Sequence, residues 1–250
     1  MVISDEFHNV HSPHDTQLRR WFEFLVHKDF GFKYLLGLTG TPYFRNNNDY
    51  FHDVIYRYGL KKGMVDGVIK TIDYKIDQDY ERDENLYEIS YANHKKNQEK
   101  YKGKPLSIVV TASVFECIKE WKKLVGYIVE KEGVSQETAA KKVIWVTAGL
   151  PANSSEKEMI SREFPEAEKI RKENLHILKT VDDIDNPVEW ILSVAMLTEG
   201  WDVKNVFQIV PRSDRAFESK LLIAQVLGRG LRMPNGLTPP VQVVVNNHTR

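Results

Sequence analysis

The 250-residue sequence has a single cysteine, Cys117, so no disulfide can form within the chain. That excludes a disulfide-stapled scaffold and predicts a reducing, cytoplasmic setting. Long apolar runs are also missing. The stretch at 191–197 falls far short of the roughly 20 residues that a membrane span needs. No charged-then-apolar leader follows Met1, so nothing marks secretion. Charge of one sign is lacking as well, because 35 Lys and Arg balance 35 Asp and Glu. A generally basic nucleic-acid coat is thereby excluded, but a few placed groups gripping a phosphate backbone are not. No repeat at solenoid or propeller spacing is visible.

What the chain does have is material for a core, since 42% of its residues are hydrophobic. Short apolar, β-branched runs at 68–72, 106–111, 143–147, 191–196, 206–210 and 241–245 alternate with segments of helical periodicity. In one such segment Phe115, Ile118, Trp121, Val125 and Ile128 share a face. Near the N-terminus, Leu18, Trp21, Phe22 and Leu25 predict a helix between the short runs at 2–3 and 34–38. Continuously apolar strands alternating with helices imply an α/β fold with parallel sheets covered on both faces, here in two lobes. An acidic stretch (Asp73, Asp77, Asp79, Glu81, Asp83, Glu84) runs into a basic one (Lys95, Lys96, Lys100, Lys102, Lys104), with weak apolar periodicity between them. This reads as a solvated connector over 76–104, joining a first lobe at 1–75 to a second at 105–250.

In parallel sheets the working loops lie beyond the carboxyl ends of the strands. After Val2-Ile3 comes Ser4-Asp5-Glu6-Phe7-His8. Two adjacent carboxylates there can hold a magnesium ion and activate a water, or can simply close a turn. After 34–38 comes the hydroxyl loop Thr39-Gly40-Thr41-Pro42, and after 191–196 comes Leu197-Thr198-Glu199-Gly200-Trp201-Asp202. Farther on, Gln225, Arg229 and Arg232 stand at i, i+4 and i+7, so they share one helical stripe beside Gly228 and Gly230. Two guanidinium forks near a helix end suit phosphoryl oxygens, although surface arginines are more often only solvated.

In this order the four segments resemble motifs II, III, V and VI of superfamily 2 DEAD/DEAH-type helicases. Ile108-Val-Val-Thr-Ala-Ser113 stands where motif IV would. Residues 196–206 and 219–232 look most like the restriction subunit of type III restriction–modification enzymes. The resemblance implies two RecA-like lobes, ATP and Mg2+ as cofactors, and movement along nucleic acid, with double-stranded DNA expected. A modification methyltransferase subunit is the implied protein partner. Asp5 would hold Mg2+, and Glu6 would activate the hydrolytic water. His8, Thr39, Thr41, Thr111 and Thr198 would couple the nucleotide to the track. Gly200 and Asp202 would lie near track and nucleotide, while Gln225, Arg229 and Arg232 would face the γ-phosphate. Phe7 departs from the small alanine usual in that motif.

A Gly-rich phosphate loop ending in Gly-Lys-Ser/Thr is absent, and Lys102-Gly103-Lys104-Pro105 does not replace it. The expectation is therefore a first lobe incomplete at its N-terminus, inactive alone and dependent on an upstream segment. The alternative is a non-hydrolysing nucleic-acid-binding or interaction module. His8, His11 and His14 flank Pro13 and read as a loop rather than a zinc site. Glu120-Trp121-Lys122 has nuclease-like letters, but it falls inside an amphipathic helix and predicts no cleavage site. Cys117 has no activating base in its sequence neighbourhood and reads as a packed helix residue.

Overall fold

A computed structural model of the chain describes residues 1–5, 7, 23–25, 27–40, 54–76, 83–101, 104–151, 154–194, 203–212, 227–228, 230–234, 236–238 and 241–247. The chain divides into two compact units, Met1–Gly59 and Leu60–Arg250.

In the first unit, β1 (Val2–Ser4) and β2 (Leu35–Gly37) pair in parallel, with Ser4 opposite Gly37. Of the helix expected over 15–28, Glu23 to Leu25 are described, and they are helical. A 3-10 turn at Lys28–Phe30 then leads toward β2. His27 caps it by accepting the Asp29 N–H, and Gly31 closes it at φ 59°, a backbone setting that glycine adopts without strain.

The second unit is a six-stranded, wholly parallel sheet flanked by helices. Its elements are α1 (Leu60–Val65), β3 (Thr71–Ile76), α2 (Asp83–Lys100), β4 (Leu106–Val110), α3 (Val114–Glu132), α4 (Gln136–Lys142), β5 (Val143–Val146), α5 (Ser154–Glu163), α6 (Ala167–Ile177), β6 (Trp190–Ser193), β7 (Val206–Pro211) and β8 (Gln242–Asn247). The strand order is β3-β8-β7-β4-β6-β5. This is the α/β architecture implied by the alternation of apolar runs and helices, and it is consistent with a RecA-like fold.

Strand alternation sorts the core into two faces. Ile108, Val110, Ile144, Val146, Ile191 and Ile209 pack on one side, while Val109, Val143, Trp145, Trp190, Leu192 and Val210 pack on the other. Helix α3 covers the second side with Cys117, Ile118, Leu124, Val125 and Ile128. Its ends are set locally. Ser113 accepts the Glu116 N–H, Glu116 reaches back to the Ala112 N–H, and Gly133 at φ 65° stops the last turn.

The charged middle differs from its sequence reading. β3, counted with the first lobe, hydrogen-bonds to β8 in the second unit's sheet. The stretch read as a solvated connector contains the 18-residue helix α2. Its inward residues Ser90, His94 and Asn97 are buried, and all three are polar. Hydrophobic periodicity cannot reveal a helix whose core-facing stripe is polar.

Candidate nucleotide and nucleic-acid site

In the first unit, the in-register pairing of β1 and β2 brings Asp5 and Thr39 to the same carboxyl-terminal edge. The ladder continues past the strands, because Leu38 N–H donates to Ser4 O (2.8 Å) and Phe7 N–H donates to Leu38 O (2.9 Å). The loops beginning at Asp5 and Leu38 are thus stitched side by side. Asp5 is exposed and Thr39 is half-buried. Phe7 packs against Gly37, where a Cβ would clash with its ring at 2.4 Å from Cγ. The bulky residue at that motif position is therefore accommodated by a glycine on the neighbouring strand. Glu6, His8 and Thr41 lie outside the described residues, as do His11 and His14.

In the second unit, Thr111 follows β4 and is buried, at 2% exposure. Its N–H donates to Ser193 O (3.0 Å) and its hydroxyl to Ser113 O (3.3 Å), so its polar atoms serve the strand end and the start of α3. Arg232 lies at the other end of the sheet. It bridges Ile69, before the first residue of β3, while Lys70 N–H donates to Leu231 O (2.8 Å). Thr111 and Arg232 are thus on opposite edges of one sheet. Gly230 is closely packed, since a Cβ there would meet Ile209 Cδ1 at 2.7 Å, whereas Gly228 faces open space. Gln225, Arg229, Thr198, Gly200 and Asp202 lie outside the described residues.

Two buried polar assemblies went unnoticed in the sequence. The first is Lys70, fully buried, whose Nζ donates to Lys204 O (2.8 Å), Val206 O (2.6 Å) and Gly230 O (3.0 Å). Burial lowers its pKa to about 7, with Asp182 pulling the other way. The only sequence signal was a lysine inside the apolar run 68–72. The second joins α2 to the sheet. His94 Nδ1 meets Ser107 Oγ (2.8 Å), and His94 Nε2 meets Glu189 (3.2 Å). Glu189 also pairs with Lys142 (3.2 Å), and Lys142 with Glu132 (2.6 Å). Burial lowers the His94 pKa, against the pull of the Glu189 carboxylate. For Glu189 burial pushes upward, but the His94 hydrogen bond and the Lys142 and Lys95 ammonium groups prevail and hold it near 2. The Ser–His–Glu chain has the connectivity of a nucleophile relay, yet Ser107 lies inside a central strand at 0% exposure. No substrate reaches it.

Glu120 is likewise engaged in packing. It is gripped by Arg212 (2.9 Å), Lys123 (2.8 Å) and the Tyr87 hydroxyl, and the adjacent Trp121 donates to Val143 O. Cys117 is fully buried, which pushes its thiol up to about 12. Among the described residues no group of three or more His, Cys, Asp or Glu side chains could hold a metal ion, and no helix is long and apolar enough to cross a membrane.

No protein-family model matches the chain. Among curated proteins, it is 41% identical over 83 residues to the Res subunit of the type III restriction-modification enzyme EcoPI from Escherichia phage P1. The EcoP15I Res subunit from Escherichia coli matches equally, at 41% over 83 residues. The likeness is local. It covers 33% of this chain and 8% of each relative's length. Over that third, the sequence is similar to type III restriction subunits.

Proposed function

We propose that the chain is the motif II–VI portion of an ATP-dependent DNA translocase of the type III restriction class, built on two RecA-like lobes. The observation that carries this reading is the parallel pairing of β1 with β2, which sets the Asp5 loop beside the Thr39 loop. An acid that works on a nucleotide must sit next to the residues that report its state to the nucleic acid. The local identity to Res subunits supports the same assignment.

The donor set fits magnesium rather than a protein-caged metal. Mg2+ is typically held by one or two carboxylates, with water and phosphate oxygens completing its shell. Asp5 and Glu6 supply that number, and Asp5 is exposed at a strand end. When bound, the ion neutralises charge on the nucleotide's phosphates. Glu6 orients the attacking water and takes its proton. Arg229 and Arg232 stabilise charge on the transferred phosphoryl group, with Gln225 on the same stripe. Thr39, Thr41 and His8 relay the nucleotide state. Thr198 and the backbone beyond Thr111 approach the track, and Asp202 the nucleotide. Phosphate binding itself is assigned to an upstream phosphate-loop segment, whose strands and helices would also cover exposed apolar groups such as Ile3, which is 56% accessible. A modification subunit and duplex DNA are the partners this reading implies.

The test is ATP hydrolysis by the 250-residue chain with and without duplex DNA. The expected result is no DNA-stimulated turnover without the phosphate-loop segment. Robust turnover by the chain alone, abolished by Glu6→Gln, would overturn the assignment of phosphate binding to another segment.

A further inference from the structure

Lys70 grips two segments that are far apart in sequence. One is the entry to β7, at Lys204 and Val206, just beyond the 198–202 stretch. The other is Gly230, within the stretch that carries Arg229 and Arg232. The grip is reinforced on both sides. Lys70 N–H donates to Leu231 O and Ile69 bridges Arg232, so backbone and side chain hold the same segment. Lys204 N–H donates to the Asp182 carboxylate (3.2 Å), and Lys104 Nζ donates to the carbonyls of Val181 and Asp183. The β7 entry is thereby tied to a fixed turn. The Phe207 ring lies 4.6 Å from Lys70 Nζ and fills the remaining side.

A fully buried lysine amine is a costly way to fill the position just before β3, which leucine or methionine could occupy. Three carbonyl acceptors match the three N–H bonds of a protonated lysine, and no apolar residue can replace that three-way link. Gly230 adds a second constraint, because its packing on Ile209 leaves no room for the segment to move independently toward β7.

We propose that Lys70 is a positioning residue that locks the β7 entry at 204–206 and the stretch at 230–232 into one unit. A displacement of either segment is then passed to the other. That this motion serves a nucleotide rests on the function proposed above, whereas the lock itself does not.

The test is hydrogen–deuterium exchange on the full 250-residue chain. Lys70→Met is expected to raise exchange about tenfold in both 203–206 and 230–234, leaving α3 unchanged. Acceleration of one segment alone, or of the whole second unit uniformly, would overturn the proposal. Transmission is read by adding Gly230→Ala. In the Lys70 background it should loosen 203–206 as well as its own segment, and in the Lys70→Met background only its own. An equal effect in both backgrounds means that packing alone carries the signal, and the proposal fails. Should Lys70→Met not fold, Lys70→Gln, which keeps two N–H donors, is expected to give the same two-segment pattern more weakly. A uniform rise would again reject the lock. Absence of ATP turnover even after the chain is joined to a phosphate-loop segment would remove the purpose assigned to the lock and leave the exchange result standing.

Discussion

At the scale of single residues, Phe7 and Gly37 form a matched pair. The aromatic ring occupies the volume that a Cβ on β2 would need. Gly37→Ala is expected to cost about 1–3 kcal/mol by overpacking. Adding Phe7→Ala should recover part of that loss, since the ring is then gone and only the Cβ contact at 2.9 Å is left. Urea denaturation of the two single variants and the double variant measures this directly, and additive losses would contradict the pairing. Cys117 makes a second prediction. Full burial and a pKa pushed to about 12 leave essentially no thiolate at neutral pH. The native chain should therefore resist a thiol reagent that reacts at once after denaturation. Rapid labelling under native conditions would show that α3 does not cover the sheet as described.

At the scale of elements, the strands were legible because they obey one simple rule. Residues 106–110, 143–146, 190–193 and 206–211 are buried throughout, as runs in a doubly covered parallel sheet must be. Helix α3 was legible because its buried stripe is apolar. Helix α2 was not, because its buried stripe of Ser90, His94 and Asn97 is polar, with His94 bonded to Ser107 and Glu189 and Asn97 to Phe207 O. Of the candidate site, motif order marked the loops. Which loops touch depended on strand pairing, and the Lys70 grip depended on three carbonyls that no motif encodes.

The α2 network also carries a pH dependence. Glu189 is held near 2, below its ordinary 4.5. A depressed carboxylate pKa adds stability that is present above about 4.5 and is lost as pH falls through the folded-state value near 2. Parent and Glu189→Gln are expected to differ by on the order of 2 kcal/mol at neutral pH, a figure discounted for the residue's partial exposure. The gap should close progressively as the solution is acidified below about pH 4.5. Chemical denaturation of both proteins across that range is the measurement. A gap that stays constant would place the stabilisation elsewhere.

At the scale of the whole molecule, the second unit's sheet has two distinct ends. All six strands run the same way. Thr111 stands at their carboxyl ends and Arg232 at the opposite ends. Lys70 links the start of β7 to Gly230, and both lie at the amino-terminal ends of the strands. The neutral total charge accords with a track held by a few placed contacts, weakly enough to be stepped along. The central claim is that this chain supplies the acid, the relay and the arginines of a DNA-stimulated ATPase. The most direct test joins the chain to a phosphate-loop segment from a type III Res subunit and measures ATP hydrolysis with duplex DNA. The account predicts DNA-stimulated turnover that falls about a hundredfold or more in Glu6→Gln and in Arg229→Ala. No turnover in the joined protein, or turnover indifferent to both substitutions, would contradict it.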